Sequence, residues 1–323
     1  MSKALPLVVS DKLTKFFPLP KGKKVHAVDG VDLTIHEREI VGLVGESGSG
    51  KTTYGKTLIG LLPKTNGTVR YRGEELPKKY GPADFKSQAK TMQMIFQDPY
   101  SSLNPRMTVE EIVGEGLKLY SGQSSNDMRD TVASWLSRVG LEPDYMSRYP
   151  HEFSGGQRQR IGIARALILE PEFVVCDEPI SALDVSVQAQ VVNLLEELKQ
   201  SMGLTLLFIA HDLSMVRYIS DRMAVMYLGA LAEIGPAHDV FFNPKHPYTE
   251  ILIASNPEPD PELERKRLST TITGEIPSPV DIGAGCRFAG RCPHATDRCR
   301  VETPLLKPLA DQPDRHVACH LYS

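Results

Sequence analysis

The feature that most constrains the fold is a glycine-rich segment at residues 45–53, which reads GESGSGKTT and directly follows the apolar run 40–44. It matches the pattern G-x-x-x-x-G-K-[ST], so it predicts a buried strand, a phosphate-binding loop and a helix in that order. Glycines permit positive φ angles and let backbone N–H groups surround phosphates at the start of a helix. Lys51 would supply a cation for the β- and γ-phosphates, and Thr52 a hydroxyl group for Mg²⁺. The residues expected to bind a purine nucleoside triphosphate here are Gly45, Ser47, Gly48, Gly50, Lys51, Thr52 and Thr53.

Apolar runs and helical patterns alternate through the first 235 residues. Predicted strands cover 40–44, 92–96, 173–176, 205–209 and 223–228, and predicted helices cover 51–62, 108–120, 126–139, 154–169 and 185–201. Short runs rich in β-branched residues are typical of a sheet that is covered on both faces. Their alternation with helices predicts an α/β fold with a mainly parallel sheet.

The sequence predicts two domains, at residues 1–235 and 236–323. Within the first, the block from about 99 to 153 has two helical segments and no convincing strand, so we expect an all-helical subdomain there. The second is a tail of different composition, because it contains nine of the 24 prolines in residues 255–323 and four of the five cysteines in the last 38 residues.

Charge and hydropathy exclude several partners. The chain has 37 Lys and Arg residues against 40 Asp and Glu residues, a formal net charge of −3, which argues against nucleic acid as the main partner. No stretch approaches the roughly 18 consecutive apolar residues of a membrane span, and residues 2–6 lack the pattern of a signal peptide. We therefore expect a soluble chain of the cytoplasm.

Two adjacent carboxylates follow the predicted strand 173–176. Asp177 would support Mg²⁺ through its coordination shell. Glu178 points the other way from the strand, and a carboxylate there can polarise a water molecule in line with the γ-phosphate. An acidic pair after a strand is also a common helix cap or solvated turn, so the presence of a phosphate loop in the same chain decides in favour of the functional interpretation.

A second helix start has the features of a phosphate site. Ser154, Gly155, Gly156 and Gln157 open a helical pattern, and the free N–H groups, the helix dipole and the serine hydroxyl favour an anion there. A serine that only caps the helix would give the same residues. Because a monomer has no evident use for two such helix starts on one nucleotide, the pattern favours two chains that meet head to tail with ATP between them.

Together these motifs resemble the nucleotide-binding subunit of ATP-binding-cassette (ABC) transporters. Gln97 matches the Q-loop of that family, Asp184 ends its D-loop at 181–184, and His211 matches its switch histidine, all in family order. The resemblance implies a P-loop ABC cassette, which has a RecA-like core, an antiparallel β portion and a helical subdomain. It implies that Gln97 senses nucleotide and permease and contacts Mg²⁺, that Asp184 crosses a dimer interface, and that His211 contacts the γ-phosphate. Glu178, His211 and Gln97 are then the expected catalytic residues.

The family usually stacks adenine on an aromatic residue near the start of the chain. Phe17, just before Pro18, is the best match, and its neighbour Phe16 is a rival. An apolar side chain at either position could equally belong to the core.

Three further segments, 98–106, 243–249 and 285–293, resemble the oligopeptide/dipeptide/nickel group of importers. This resemblance implies an ATPase at the cytoplasmic face of the cell membrane. Its expected partners are a second ABC ATPase subunit, identical or paralogous, two transmembrane permease subunits and, through them, an extracytoplasmic solute-binding protein. Di- or oligopeptides are the expected solute, although the segments do not separate peptides from metal complexes or oligosaccharides. The alternative is a soluble ABC-type ATPase that acts as a switch or assembly factor without a permease.

The tail cysteines have the spacing C-x₅-C-x₆-C-x₁₉-C and are Cys286, Cys292, Cys299 and Cys319. This spacing lacks the C-x₂-C knuckle of structural zinc sites and the ferredoxin spacings, so it does not choose a metal. The resemblance to dipeptide importer ATPases favours a [4Fe–4S] cluster. Zinc, with help from His294, His316 or His320, is the second candidate, and four packed cysteines without metal are the third. We expect the tail to be structural and the loss of one cysteine to spare nucleotide binding.

Overall fold

The protein is described by a computed structural model that covers residues 5–122, 124–181, 183–255 and 277–322. Its strands are β1 (Pro6–Pro18), β2 (Lys24–His36), β3 (Ile40–Val44), β4 (Asn66–Tyr71), β5 (Glu74–Glu75), β6 (Met92–Ile95), β7 (Phe173–Asp177), β8 (Thr205–Ile209), β9 (Arg222–Tyr227), β10 (Ala230–Pro236), β11 (Lys307–Pro308) and β12 (His316–Val317). Its α-helices are α1 (Lys51–Leu58), α2 (Pro82–Gln88), α3 (Pro99–Ser102), α4 (Val109–Tyr120), α5 (Ser125–Arg138), α6 (Gly155–Leu167), α7 (Val185–Met202), α8 (Leu213–Ile219), α9 (Ala237–Phe242), α10 (Pro247–Ala254) and α11 (Asp297–Val301). Among these helices, none has the length and apolar character needed to span a membrane.

Each predicted strand corresponds to an observed one, at β3, β6, β7, β8 and β9. The predicted helix at 51–62 is wrong only at 59–62, because α1 ends at Leu58 and the chain turns at Gly60, whose φ of 79° is left-handed. The other four predicted helices match α4, α5, α6 and α7 within two residues at each end. Local sequence patterns therefore located the buried elements.

The chain divides into two compact units, and the first contains the described residues of 1–79 and 210–323. One of its sheets is antiparallel, with the strand order β2-β1-β4-β5. In β2 the apolar side chains of Val31, Leu33 and Ile35 are buried, while the residues between them are exposed or partly exposed. This alternation is what a sheet with one covered face requires.

The other strands of the first unit begin with β3, which pairs in parallel with β9, with Val44 opposite Val225. Strand β10 pairs antiparallel with β9, and β12 pairs with β10 and β11. All five residues of β3 are buried. At Gly42 an added Cβ would lie 2.1 Å from a methyl carbon of Val216, so helix α8 approaches β3 as closely as a glycine allows.

The tail is part of this first unit, so the compact units do not follow the predicted boundary at 235/236. A buried ion pair ties the end of the tail to β10. Arg315 donates to one oxygen of Glu233 from Nε at 3.0 Å and from Nη2 at 2.5 Å. The same carboxylate accepts from the backbone N–H groups of Lys245 and His246, just before α10 begins. Glu233 therefore fixes the start of α10 as well as the tail.

The second unit contains residues 80–209. Its strands β6, β7 and β8 are parallel, and every residue of β7 and β8 is buried. The described residues between 99 and 153 form α3, α4, α5 and short 3₁₀ turns, with no strand among them. Helices α6 and α7 cross closely, because a Cβ added at Gly156 would lie 2.5 Å from Cγ1 of Val187.

Candidate nucleotide site

The loop between β3 and α1 has the backbone that a phosphate site needs. Gly45, Gly48 and Gly50 all have positive φ, at 153°, 78° and 104°. A Cβ at Gly45 would lie 2.2 Å from the carbonyl oxygen of Met226, and one at Gly50 would lie 2.0 Å from that of Ala27. These two glycines are therefore required by close approach of the backbone as well as by their φ angles.

Lys51, the first residue of α1, is 5% exposed and its ammonium group points back into the loop. It donates to the carbonyl oxygens of Gly45 at 2.7 Å and Glu46 at 3.0 Å. Burying an ammonium group costs desolvation free energy, and the two carbonyl dipoles that face Lys51 offset part of that cost. The helix start and Lys51 thus place N–H groups and a cation at one point, the arrangement that binds polyphosphates. Thr52 follows on the helix and is partly exposed.

Two residues that the sequence motifs did not reveal support this loop. The guanidinium group of Arg291 donates to both carboxylate oxygens of Glu46, each at 2.9 Å. The hydroxyl of Tyr248 accepts the backbone N–H of Glu46 at 2.9 Å. Both residues lie in segments, 285–293 and 243–249, that the sequence marked only as features of an importer group. Because about 200 residues or more separate them from the loop in the chain, no local sequence pattern indicates that they contact it.

His211, the predicted switch histidine, follows the carboxyl end of β8 in the chain. His211 is exposed, and the next residue, Asp212, caps α8 by accepting the N–H groups of Ser214 and Met215. The cap fixes the backbone at the end of the strand.

The two aromatic candidates for adenine stacking have different surroundings. The ring of Phe16 packs on that of His26, with centroids 4.0 Å apart. The ring of Phe17 has the ammonium group of Lys15 at 4.9 Å from its centroid. Both rings are partly exposed, and Phe17 pairs with Val25 of β2. Neither belongs to the buried core, which leaves both available for stacking.

In the second unit, the acidic pair ends β7 as expected. Asp177 is 2% exposed, whereas Glu178 is partly exposed and has a φ of 45°, a strained value for a residue with a side chain. The backbone N–H of Glu178 donates to the carbonyl oxygen of Ile209 at 2.9 Å. Gln97 donates its side-chain N–H to the Glu178 carboxylate at 2.9 Å. Strain at a fixed, partly exposed carboxylate is typical of a functional position.

The helix start at Ser154 forms a complete capping box. Ser154 Oγ accepts the N–H of Gln157 at 3.3 Å, and the Gln157 side chain accepts the N–H of Ser154 at 3.0 Å. Ser154 is exposed and Gly155 partly so, but Gly156 is buried against Val187. Ser154 therefore caps helix α6, as the alternative interpretation of this motif predicts, and Gly156 is needed for the packing of α6 on α7.

Asp184 is exposed and immediately precedes α7, without a hydrogen bond from its side chain to that helix end. Its D-loop neighbour Ala182 lies outside the described residues. The predicted roles of this segment across a dimer remain predictions.

The segment 98–106 follows Gln97 and contacts helix α6. Arg165 on α6 donates to the carbonyl oxygen of Ser102 at 2.5 Å, and Arg158 lies 4.0 Å from the ring centroid of Tyr100. Asp98 accepts the N–H of Tyr100 at 2.8 Å, and this bond holds the pKa of Asp98 below its usual range. Tyr100 remains exposed.

The four tail cysteines line one cavity of about 120 Å³ beside α10 and α11. Burial raises the pKa of Cys286 to about 11 and raises the pKa of Cys292 and Cys319, whereas hydrogen bonds from Thr296 lower that of Cys299. Among the residues that the structure describes, no group of three or more His, Cys, Asp or Glu side chains is arranged so that it could hold a metal ion. The fifth cysteine, Cys176, is buried in β7, and its pKa is raised to about 12 by burial.

Two known protein families match different parts of the chain. The family described as ABC transporter matches residues 28–181, and the oligopeptide/dipeptide transporter C-terminal region matches residues 232–299. The putative oligopeptide transport ATP-binding protein YkfD of Bacillus subtilis is 54% identical, over 99% of this chain and 97% of the relative. The chain belongs to the ABC transporter ATP-binding family. The oligopeptide transport ATP-binding protein OppF of Salmonella typhimurium is another such relative, 52% identical over 88% of this chain and 85% of its own.

Solved structures of ABC cassettes share the fold. A dimeric, post-hydrolysis structure of the ATP-binding cassette MJ0796 with ADP and Pi has a TM-score of 0.66 at 28% identity and covers 72% of this chain and 99% of its own. The structure of cbiO1 from Clostridium perfringens has a TM-score of 0.65 at 25% identity, over 74% and 91% of the two chains. The predicted α/β ABC cassette fold and the family resemblance are confirmed. As an ABC cassette, the chain has ATP as its nucleotide and Mg²⁺ as its cation.

Proposed function

We propose that this chain is the ATP-hydrolysing subunit of an ABC importer for di- or oligopeptides. The observation that carries the proposal is the loop 45–53, where three left-handed glycines and the buried Lys51 form a polyphosphate-binding helix start. The relatives support peptides as the solute, since they are oligopeptide transport ATP-binding proteins that match almost the full chain. These names favour transport over a permease-free switch or assembly factor.

The hydrolytic roles are assigned within this proposal. Lys51 binds the β- and γ-phosphates, and Phe17 stacks on adenine. Thr52 and Gln97 supply oxygen ligands for Mg²⁺, and Asp177 supports the cation through its coordination shell. Mg²⁺ is a hard cation that prefers oxygen ligands. Glu178 takes the proton of the attacking water, because its carboxylate is partly exposed and accepts a hydrogen bond from Gln97 at 2.9 Å.

Assembly is the second part of the proposal. A partner cassette, identical or paralogous, binds the same ATP through Ser154, Gly155, Gly156 and Gln157, while Asp184 crosses the interface and His211 contacts the γ-phosphate. Ser154 and Asp184 are exposed, as this requires. Two permease subunits anchor the pair at the cytoplasmic face of the membrane, and an extracytoplasmic solute-binding protein delivers the peptide. Tighter binding of ATP by the closed pair than by the open one then drives the transport cycle.

The tail is proposed to hold a [4Fe–4S] cluster. Two observations support this: Cys286, Cys292, Cys299 and Cys319 all line one cavity, and thiolates are the soft ligands that iron–sulfur clusters take. Among the described residues these side chains are not arranged around a metal ion, so cluster binding would have to draw them together. Once bound, the cluster would cross-link four points of a short tail, a structural rather than a catalytic contribution. Zinc is the second candidate for the same cavity.

Reconstitution tests the function. The chain, purified with its membrane subunits and placed in proteoliposomes, should take up an oligopeptide only when MgATP is supplied on its side. Lys51→Ala should abolish uptake and weaken ATP binding, because a phosphate counter-charge is lost, whereas Lys56→Ala near the end of the same helix should leave both near the wild-type level. Purification without any membrane subunit, together with full ATPase activity, would support the permease-free alternative instead.

A further inference from the structure

The phosphate loop is supported from outside by the tail through one residue, Glu46. Its backbone N–H is bound by Tyr248, and its carboxylate is bound by Arg291 through two hydrogen bonds of 2.9 Å. Its carbonyl oxygen accepts Lys51 Nζ at 3.0 Å and the N–H of Ser49 at 3.1 Å. Any change in the position of Glu46 therefore moves the carbonyl that holds the loop lysine.

Arg291 is built for this contact. Its side chain is 4% exposed, that of Glu46 is 17% exposed, and the pair has the bidentate geometry that makes guanidinium–carboxylate bonds strong. One Nη atom also donates to the hydroxyl of Tyr227 at 3.3 Å, and the guanidinium carbon lies 5.8 Å from the ring centroids of Tyr227 and Phe288. These contacts leave the guanidinium little freedom to swing away from the loop.

The tail has two further attachments around the same loop. Arg287 donates to Asp29 at 2.7 Å and to the carbonyl oxygen of Leu228. The next residue, Gly229, donates its N–H to the carbonyl oxygen of Ser49 within the phosphate loop. Further along, the carbonyl oxygen of Pro279 accepts the N–H of His26, whose ring packs on Phe16. The tail therefore supports both the phosphate loop and the strand ends that bear the adenine-stacking candidates.

The charge of Arg291 offsets the charge of Glu46 beside the phosphate site. A loop that binds a triphosphate gains nothing from a carboxylate, yet Glu46 is its second residue. An unpaired carboxylate there would repel the phosphates and compete with them for Lys51, whose ammonium already contacts the Glu46 carbonyl. Arg291 neutralises the carboxylate and holds it through two hydrogen bonds. The guanidinium therefore keeps the lysine available to phosphate.

We propose that Arg291 is a positioning residue of the ATP site, so that the four-cysteine tail is part of the support of the phosphate loop. The proposal rests on the nucleotide site assigned above. Arg291 lies between Cys286 and Cys292 and directly precedes the latter, so the order of the cysteine segment sets the position of the guanidinium. The expectation that loss of a tail cysteine spares nucleotide binding is thereby replaced: Cys292→Ser should weaken MgATP binding in the same direction as loss of Arg291.

MgATP binding by the full chain tests the proposal. Arg291→Met should raise the Kd for MgATP about fivefold or more, the lower end of typical coupling between sites. In the assembled transporter it should raise KM by a similar factor with a smaller change in kcat, because binding rather than water activation is affected. Arg291→Lys, which retains a charge but not the bidentate contact, should fall between wild type and Arg291→Met. The matched control is Arg300→Met, an exposed arginine of the same tail, which should leave the Kd within twofold of wild type.

A double variant tests whether Arg291 acts through Glu46. If the unpaired carboxylate causes the loss, Glu46→Gln combined with Arg291→Met should bind MgATP better than Arg291→Met alone. Equal weakness of the single and double variants would overturn the proposal, as would an unchanged Kd in a folded Arg291→Met protein. Should Arg291→Met fail to fold, Glu46→Asp withdraws the carboxylate by one methylene group while the tail stays intact, and an unchanged Kd there would likewise contradict the proposal. Lys51→Ala distinguishes failure of the nucleotide site from failure of the role of Arg291. A wild-type Kd for MgATP in Lys51→Ala refutes the nucleotide site itself. A raised Kd in Lys51→Ala together with a wild-type Kd in Arg291→Met refutes only the role of Arg291.

Discussion

Loss of the buried ion pair between Arg315 and Glu233 should destabilise the first unit strongly. The two side chains are 1% and 0% exposed, so Arg315→Met leaves a carboxylate without its cation and without access to water. Removing one partner of a buried pair costs about 3–5 kcal/mol, which is a large part of the roughly 5–15 kcal/mol that stabilises a typical domain. The free energy of unfolding from urea denaturation, followed by far-UV circular dichroism at pH 7, measures this loss.

The same pair provides its own control. Glu233 also accepts the backbone N–H groups of Lys245 and His246, and glutamine keeps an oxygen for those donors. Glu233→Gln combined with Arg315→Met therefore removes both charges without stranding the two N–H groups, and it should recover most of the lost stability because a neutral pair costs little to bury. The reasoning is refuted if Arg315→Met costs less than about 1 kcal/mol, or if the double variant is as unstable as the single one.

Three further outcomes are expected. Gly156→Ala should cost about 1–3 kcal/mol because its Cβ would lie 2.5 Å from Cγ1 of Val187, whereas Gly162→Ala on the same helix, with no atom within 4 Å, should be neutral or stabilising; urea denaturation compares the two. Burial lowers the pKa of His246 from 6.5 to about 4, so the unfolded chain binds the extra proton and stability should fall by up to about 3 kcal/mol as the pH drops from 6.5 to 4; His246→Asn, which keeps a capping oxygen but does not titrate, should show a smaller fall. Anaerobically purified protein should contain iron and sulfide in proportions of a four-cysteine cluster and lose both in Cys292→Ser, while about one zinc per chain without sulfide would contradict the cluster.

The parts of this protein that the sequence predicted are those with a local signal. The loop 45–53 is a contiguous motif, and β7 and β8 are short apolar runs that are buried on both faces. The end of α1 was predicted too late because the apolar residues up to position 62 continue the helical pattern, while Gly60 breaks it. Strand β1 was not among the predicted runs, since bulges between Ser10 and Lys15 interrupt its alternation.

The supports of the site lacked such a signal. Arg291 and Glu46 are 245 positions apart, and an arginine beside a cysteine predicts nothing about a loop near the other end of the chain. The same holds for Tyr248, whose hydroxyl accepts the N–H of Glu46 and whose helix begins next to the backbone groups that Glu233 binds. Gln97 and Glu178 were both predicted as functional residues, but their 2.9 Å contact follows from the parallel pairing of β6 and β7, which only the fold reveals.

The central claim is that Glu178 activates water for ATP hydrolysis, and Glu178→Gln in the assembled transporter tests it most directly. Glutamine keeps the size of the side chain and an oxygen that can accept the N–H of Gln97, but it cannot take a proton. MgATP should bind with a Kd close to that of wild type, and the steady-state turnover should fall at least about 100-fold. Glu172→Gln, just before β7 on an exposed position, should keep wild-type turnover. Turnover within tenfold of wild type in Glu178→Gln would contradict the account.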